Sequence, residues 1–584
     1  MKLMKLLRNE SFKGKAGLLT LVGSVVGKGG VLSWSLLGNL IPCLVEFLGS
    51  DDWASRKTAA EALERVAVVE RDLVSEFKSS CLLSFESRRF DKNDYAHTHS
   101  FNIMAEQQHR RRLVLFPSPL QGHINPMLQL ATILHSHSKG ALSIIIIHIH
   151  FNSPNPSNYP NFTFLPISDG LSQSQRKSST EDLIAFATLL NLSCVNPFRD
   201  CLVNKILSQQ HEPPVACIIS DSSMHFTQPV ADSLQLPCIG LRTSSPMSYV
   251  VFAAFPVLRE KGYFPITESE LEAPVRELPP LKVKDLPVVK THNLEAFYQL
   301  VADMVKQTKA SAGLIVNSFE SLDQSAFQLL SQEFAVPIFP IGPFQKFGPA
   351  SSSSLLTQDQ SCISWLNKQP PSSVVYISFG SAATISEAQL VEIAMGLANS
   401  EQSFLWVIRP GSVVGSCRSD DDKDKNEDDK LTELLPQKFN EIFMSGRGCI
   451  VKWAPQEEVL AHPSIGGFWT HSGWNSTLES ICEGVPMLCW PCFGDQKVNA
   501  RFVSKVWRVG LQLENGLERE EIERSLRRLM IQENNKEREE LMVRAKDLKE
   551  MAELCQREGG SSFQSLQNLI DYIFSRNSDL KIAN

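Results

Sequence analysis

Four things are scarce in this chain, and each scarcity narrows what it does. No stretch of the 584 residues reaches the roughly 18 consecutive apolar residues of a membrane helix. The 13 cysteines are scattered without a spaced framework, which suits a reducing compartment and a cytoplasmic location. The one Cys-x-x-Cys, Cys489 to Cys492, follows an apolar run (Val485 to Leu488) instead of opening a helix, so it reads as buried structure and not as a redox pair. Basic charge has no surplus: 57 Lys and Arg against 64 Asp and Glu give a formal net charge of −7, which argues against nucleic acid as a partner. No Asp-x-Asp closes a strand-like run. The acidic cluster at Asp420 sits in the charge run DDDKDKNEDDK (Asp420 to Lys430), which holds no core-forming residue and reads as a solvated loop. No metal is expected.

What is present fits a globular protein of more than one domain, with 43% hydrophobic and 21% charged residues. The first 103 residues stand apart. Lys2, Lys5, Arg8, Lys13 and Lys15 precede an apolar segment, Ala16 to Val26, but glycines break it and no small-residue cleavage site follows. Gly23 to Gly29 is one residue short of a phosphate loop and lacks its Ser/Thr. Leu37 to Leu48 and Trp53 to Val69 carry apolar residues at helical spacing around the break Gly49-Ser50-Asp51-Asp52. The wording LVEFLGSDDWASRKTAAEALERVA resembles plant HEAT-repeat proteins of the TORTIFOLIA type. About three repeats are needed to bury both stacking faces, so residues 1–90 read as a HEAT-like helical fragment joined by a fused gene start. A polar linker follows over 91–111, and Met104 reads as a native start.

From Arg112 onward, strand and helix alternate. Leu113–Pro117, Ile144–Ile149, Phe162–Ile167, Val215–Ser220, Pro237–Arg242 and Gly313–Asn317 read as buried strands. Helices are expected from Asn125-Pro126, over Asp182–Leu207, Phe226–Leu234 and Ser245–Glu260, and near Leu294–Lys309. Phe264 to Asn293 is a long irregular loop, read as acceptor-pocket wall. Pro337 to Leu355, with four consecutive serines, is a linker. Strands recur at Ser373–Ser378, Phe404–Ile408 and Gly448–Lys452. A helix is expected over Ser386–Ala398, and helices run from Ala500 to the end. This is a doubly wound α/β pattern repeated twice: a first lobe over 112–340, a linker over 341–360, a second lobe over 361–560, and over 561–584 a helix returning to the first lobe, then a tail.

Two places concentrate chemistry. His123 follows the first strand, and Asp221 ends a later one. A carboxylate behind an imidazole fixes its tautomer and makes it a base, although either residue alone is more often structural. The second place is WAPQEEVLAHPSIGGFWTHSGWNSTLESICEGVPMLCWPCFGDQ, Trp453 to Gln496. Its centre reads as a buried strand, the turn Thr470-His471-Ser472-Gly473, and a helix opening at Asn475-Ser476-Thr477. A helix start offers free N–H groups and the positive dipole end to an anion. Alone, this could be an ordinary strand–helix turn.

That stretch resembles, without a gap, the signature box of plant secondary-product glycosyltransferases, the family-1 enzymes that use UDP-sugars. The resemblance implies a GT-B fold: two Rossmann-like lobes facing a cleft. It implies that Trp453 stacks on uracil and that Ala454 and Gln456 bond its edge by backbone or side chain. The diphosphate falls to His471, Asn475 and Ser476 around Gly473, the ribose to Glu479, and the sugar hydroxyls to Trp474, Asp495 and Gln496. Pro-Leu-Gln-Gly-His123-Ile-Asn-Pro matches the family's catalytic histidine motif, and Asp221 matches its partner aspartate. Thr243 matches a position that touches the sugar, and Ser381, in the turn Phe379-Gly380-Ser381, a diphosphate contact. The implied activity is inverting transfer of glucose from UDP-glucose, with no cofactor, by a monomer. Gln496 closing the box favours glucose. HINPMLQLA and HFNSPNPSNYPNFTF resemble the branch of cytokinin, iridoid and diterpenoid glucosyltransferases, so the acceptor is a small lipophilic metabolite. The contrasting expectation is a HEAT-type microtubule- or protein-interaction module with a tethered or inactive sugar-nucleotide domain.

Overall fold

The apolar runs assemble into two wholly parallel sheets. In the computed structural model the chain divides into two units, Met1–Arg110 and Arg111–Asn584. The structure describes residues 110–579 apart from 173–174, 176–181, 210, 290, 349–353, 415–432 and 532–534. The helical pair expected within residues 1–90, the linker before Arg110 and the Asp420–Lys430 charge run lie outside the described residues.

The first sheet has seven strands: β1 (Arg111–Phe116), β2 (Leu142–Ile149), β3 (Thr163–Ile167), β4 (Val215–Asp221), β5 (Cys238–Arg242), β6 (Gly313–Val316) and β7 (Ile338–Pro340). Their order is β3-β2-β1-β4-β5-β6-β7. Leu113, Val114, Leu115 and Phe116 are each 0% exposed, because helices cover both faces, as a parallel sheet requires. One face lies under α1 (Gln121–His137). The other lies under a layer that includes α2 (Pro246–Ala253), α3 (Leu294–Ala310) and α4 (Glu320–Glu333).

The second sheet is built from β8 (Val374–Ser378), β10 (Ser403–Val407), β12 (Gly448–Val451), β13 (Ile465–Thr470), β14 (Met487–Cys489) and β15 (Gly510–Gln512). Its order is β12-β10-β8-β13-β14-β15, and β9 (Ile385–Ser386) and β11 (Val413–Val414) pair apart from it. Its helices include α5 (Glu387–Ser400), α6 (Trp474–Glu483), α7 (Gln496–Arg501), α8 (Arg519–Met530) and α9 (Lys536–Gln556). The last helix, α10 (Ser561–Asp579), leaves this lobe. Its Leu566, Leu569 and Ile573 enter the first lobe's core, and Tyr572 donates to the Ala312 carbonyl at 2.5 Å.

Four local expectations change. The first helix starts at Gln121, not Asn125, so His123 sits in its first turn and Pro126 lies inside it. Proline lacks the N–H that would bond the carbonyl four residues back, that of Gly122. Asn475 Nδ2 of the second lobe donates to that carbonyl instead, at 2.9 Å, so the acceptor is not left unpaired. The stretch read as linker from Pro337 begins with β7, an edge strand of three residues where Pro340 is tolerated. The helix α4 was not anticipated. The run of helices from Ala500 is interrupted by β15, too short to show a period.

Candidate active site

Each sheet reverses its strand order beside its first strand: between β1 and β4 in the first lobe, and between β8 and β13 in the second. Crevices outside the carboxyl ends of strands at such switch points are where open α/β sheets bind ligands. The candidate residues follow these strands.

In the first lobe, β1 delivers His123, β4 ends in Asp221, and Thr243 follows β5. Asp221 Oδ2 lies 2.7 Å from His123 Nδ1. Its other oxygen accepts from the Ser223 backbone N–H at 2.9 Å and the Ser223 hydroxyl at 2.6 Å. The Asp221 side chain is 2% exposed and that of His123 27%. Burial alone would raise the Asp221 carboxyl, but His123 and the Ser223 donors outweigh it and hold the group below its ordinary range. An ionised Asp221 accepts the hydrogen bond from Nδ1–H, which leaves Nε2 as the lone-pair nitrogen on a partly accessible ring. The Thr243 hydroxyl lies 3.0 Å from the same Nδ1, so in this structure Thr243 braces the histidine.

In the second lobe, β8 leads to the exposed Ser381, and β13 to His471. A Cβ at Gly380 would come within 2.6 Å of the His471 ring, and one at Gly473 within 2.5 Å. The two glycines therefore leave the slot the ring fills. Burial pushes His471 down to about 4, only partly offset by the Ser378 backbone, so the ring is neutral at physiological pH. Gly473 stands at the N-cap of α6, with no side-chain cap and no acidic residue in the first turn, which leaves the helix-start N–H groups for an anion.

The rest of the box is a hydrogen-bonded frame. Gln456 Nε2 donates to Ser476 Oγ at 2.8 Å and to Glu479 Oε2 at 2.5 Å, while the Tyr376 hydroxyl donates to its Oε1 at 3.1 Å. The Gln456 side chain is thereby occupied, and its backbone is what remains for a base edge. Burial, then the neighbouring Glu457, pushes the Glu479 carboxyl up to about 8 against the Gln456 bond. Trp453 Nε1 donates to Ser354 Oγ at 2.8 Å, and Ala454 is buried. Gln496 Oε1 accepts from the Cys492 and Phe493 backbones at 2.9 and 3.1 Å, so its amide nitrogen is the end left for a sugar. Burial raises the Asp495 carboxyl, opposed by Arg242, Asn499 and His123.

Two expected ligands are engaged elsewhere. The Trp474 indole is 3% exposed and donates to the Asn317 carbonyl at 2.8 Å, which confines any sugar contact to its backbone. Asn475 spends its amide nitrogen on Gly122 and leaves Oδ1 buried without a partner. Asn499 was not foreseen. Fully buried, it joins the Ser472 carbonyl (2.9 Å), Asp495 Oδ2 (3.3 Å) and the Ser248 hydroxyl (3.3 Å). Its position four residues after Asp495, on one helix face, was the available signal.

The long loop expected to wall the acceptor pocket docks on the second lobe. Asp285 accepts from Arg501 Nε and Nη2 at 2.8 and 3.1 Å, with both side chains 2% exposed, and the Val288 carbonyl accepts from the Gly494 N–H at 2.8 Å. Among the described residues, no group of three or more His, Cys, Asp or Glu could hold a metal, every cysteine is a free thiol, and no helix is long and apolar enough to cross a membrane.

Comparison with known proteins matches this arrangement. The family model described as UDP-glucoronosyl and UDP-glucosyl transferase covers residues 160–546, and the TORTIFOLIA1 N-terminal model covers residues 1–98. UDP-glycosyltransferase 76B1 of Arabidopsis thaliana is 48% identical over 463 residues, 79% of this chain and 98% of its own. UDP-glycosyltransferase 76G1 of Stevia rebaudiana is 45% identical over 80% of this chain and 97% of its own. Among solved structures, Medicago truncatula UGT71G1 complexed with UDP-glucose aligns at a TM-score of 0.65 and 27% identity, covering 81% of this chain and all of its own. With two parallel-sheet lobes, switch-point histidines and full-length relatives agreeing, the chain belongs to the plant family-1 UDP-glycosyltransferases, enzymes of the GT-B fold.

Proposed function

We propose that this chain is an inverting, UDP-glucose-dependent glucosyltransferase. It moves glucose to a hydroxyl, or a nitrogen, of a small lipophilic plant metabolite and gives a β-glucoside. The observation that carries the reading is the 2.7 Å His123–Asp221 bond, on a helix turn tied to the uncapped start of α6 by the Asn475–Gly122 bond.

His123 Nε2 takes the acceptor proton as the acceptor oxygen attacks the anomeric carbon. The new bond forms on the face opposite UDP, and the breaking bond leaves its electron pair on the diphosphate oxygen. An α-linked donor therefore yields a β product. Asp221 stabilises the imidazolium that forms, as in the His–Asp pair of a hydrolase, with the acceptor's own hydroxyl in place of serine. Charge developing on the diphosphate meets the neutral N–H of His471, Ser381 and the α6 amides, fixed donors whose reorganisation is already complete. Ser476 joins them, and Asn475 does so by exchanging Gly122 for phosphate. Glu479 receives the ribose, Trp453 faces the uracil beside Ala454 and Gln456, and Asp495 with Gln496 orients the glucose. The enzyme acts as a cytoplasmic monomer without nucleic-acid partners.

The test is UDP-glucose turnover against a panel of cytokinins, terpenoids and phenolics, with product masses read out. One hexose gained by an acceptor, with UDP released, is expected; no hexose transfer to any acceptor contradicts the proposal.

A further inference from the structure

One tie between the lobes is more directional than docking a loop requires. The Asp285 carboxylate and the Arg501 guanidinium meet fork to fork, Oδ2 to Nε at 2.8 Å and Oδ1 to Nη2 at 3.1 Å, and both side chains are 2% exposed. Two ions withdrawn from water are costly, and an apolar pair of similar volume would hold the loop as well. What an apolar pair would not supply is a fixed distance and direction. Asp285 is also locked on its own side, where Oδ2 accepts from the Lys282 backbone N–H at 2.8 Å. Its neighbour Lys284 adds a second tie, to Glu514 Oε2 at 2.5 Å.

Arg501 is the last residue of α7, the helix that Asp495 caps and Gln496 opens. The turn leading into that helix is held in three ways. Gln496 Oε1 accepts from the Cys492 and Phe493 backbones. The Gly494 N–H donates to the Val288 carbonyl, three residues beyond Asp285, at 2.8 Å. Asn499, which bonds Asp495 Oδ2, is met by Ser248 of the first lobe at 3.3 Å. Gly494 turns through a φ of +60°, a conformation that glycine reaches without strain but does not enforce. The turn therefore relies on bonds from outside. The first lobe grips α7 at both ends, at Gly494 before its start and at Arg501 where it finishes, and both grips come from the one short stretch Asp285 to Val288.

We propose that Asp285 is a positioning residue for the donor sugar. Through Arg501, and together with the Val288 carbonyl, it sets where Asp495 and Gln496 stand, so the first lobe tunes which hexose the second lobe accepts. This rests on the reading above, in which Asp495 and Gln496 orient the glucose. None of the residues assigned to the uracil, the ribose or the diphosphate belongs to the gripped turn, so the effect is confined to the sugar.

The test measures Kd by calorimetry for UDP, UDP-glucose and UDP-galactose. It uses the full-length wild type, Asp285→Asn, Arg501→Lys and the double variant Asp285→Leu with Arg501→Met. In Asp285→Asn the affinity for UDP should be unchanged. UDP-glucose should weaken relative to UDP by about 10-fold, the worth of one hydrogen bond lost at the sugar. The preference for UDP-glucose over UDP-galactose should shrink with it. Arg501→Lys keeps the charge but not the fork and should give an intermediate loss. The double variant leaves no unpaired buried charge and should show the same sugar-selective loss, so it decides if Asp285→Asn does not fold. A parallel loss of UDP and UDP-glucose affinity overturns the proposal, because the pair would then support the whole donor site. So does an unchanged sugar preference in a folded variant. A sugar-selective loss in a protein that transfers hexose to no acceptor would sustain the positioning role and overturn the glucosyltransferase reading instead. Hexose transfer by the wild type with unchanged selectivity in the variants would do the reverse.

Discussion

His123 and His471 stand one in each lobe, after β1 and β13, and their surroundings suit the opposite work proposed for them. Each follows a strand that flanks a switch point. His123 is partly accessible and held through Nδ1 by a buried, ionised Asp221 at 2.7 Å, an arrangement that leaves Nε2 facing outward. His471 is enclosed between two glycines and pushed down to about 4, an arrangement that keeps the ring neutral. A base must accept a proton, whereas a donor to a diphosphate need only offer an N–H. In the proposed mechanism the neighbours of each ring, a carboxylate or a pair of glycines, separate these two roles.

Substitutions at the two rings test the contrast. His123→Ala should lower kcat toward alcohols by about 10²–10⁴-fold while calorimetric UDP affinity survives; full activity toward such acceptors would remove the base assignment. His471→Ala should cost about 10²–10³-fold, the loss typical of one donor to developing charge. Because His471 stays neutral down to about 4, its loss should scale the pH–rate profile without changing its shape, and a shifted acid limb would mean that it titrates during turnover. Glu479→Ala should weaken UDP-glucose binding by about 1–3 kcal/mol, and unchanged donor affinity would count against the ribose role. The smallest effect concerns pH. The Glu479 carboxyl lies at about 8 in the fold against an ordinary 4.5. The protonated form is favoured, so its stabilisation is complete below the unfolded value and is lost as pH rises toward 8. Glu479→Gln should therefore raise Tm more at pH 9 than at pH 6; a Tm gain that does not grow with pH would show that the carboxyl is not perturbed.

The donor wall was far more legible in the sequence than the acceptor wall, for a physical reason. Strand β13, the turn and α6 are contiguous, so their apolar run, glycines and polar helix start appear in order between Ile465 and Glu483. The proposed acceptor wall draws His123, Asp221 and Thr243 from three strands that only the sheet brings together. The helix start at Gln121 was hidden because Pro126 reads as a beginning. It sits inside the helix, and Asn475, in the other lobe, satisfies the Gly122 carbonyl it leaves free. No local pattern records a bond of that separation. Thr243 and Gln456 could be assigned to the site region, but not their committed bonds to His123 and to the Ser476–Glu479 pair. Those depend on side-chain distances that residue types do not state.

The most direct test of the division of labour is the anomeric configuration of the product, read by NMR after incubation with UDP-glucose and an acceptor from the panel that gains a hexose. It should be run in parallel with wild type and His123→Ala. A β-glucoside from the wild type and none from the variant, with UDP binding intact in both, is the predicted result. An α-glucoside, or equal turnover by the variant, would contradict it.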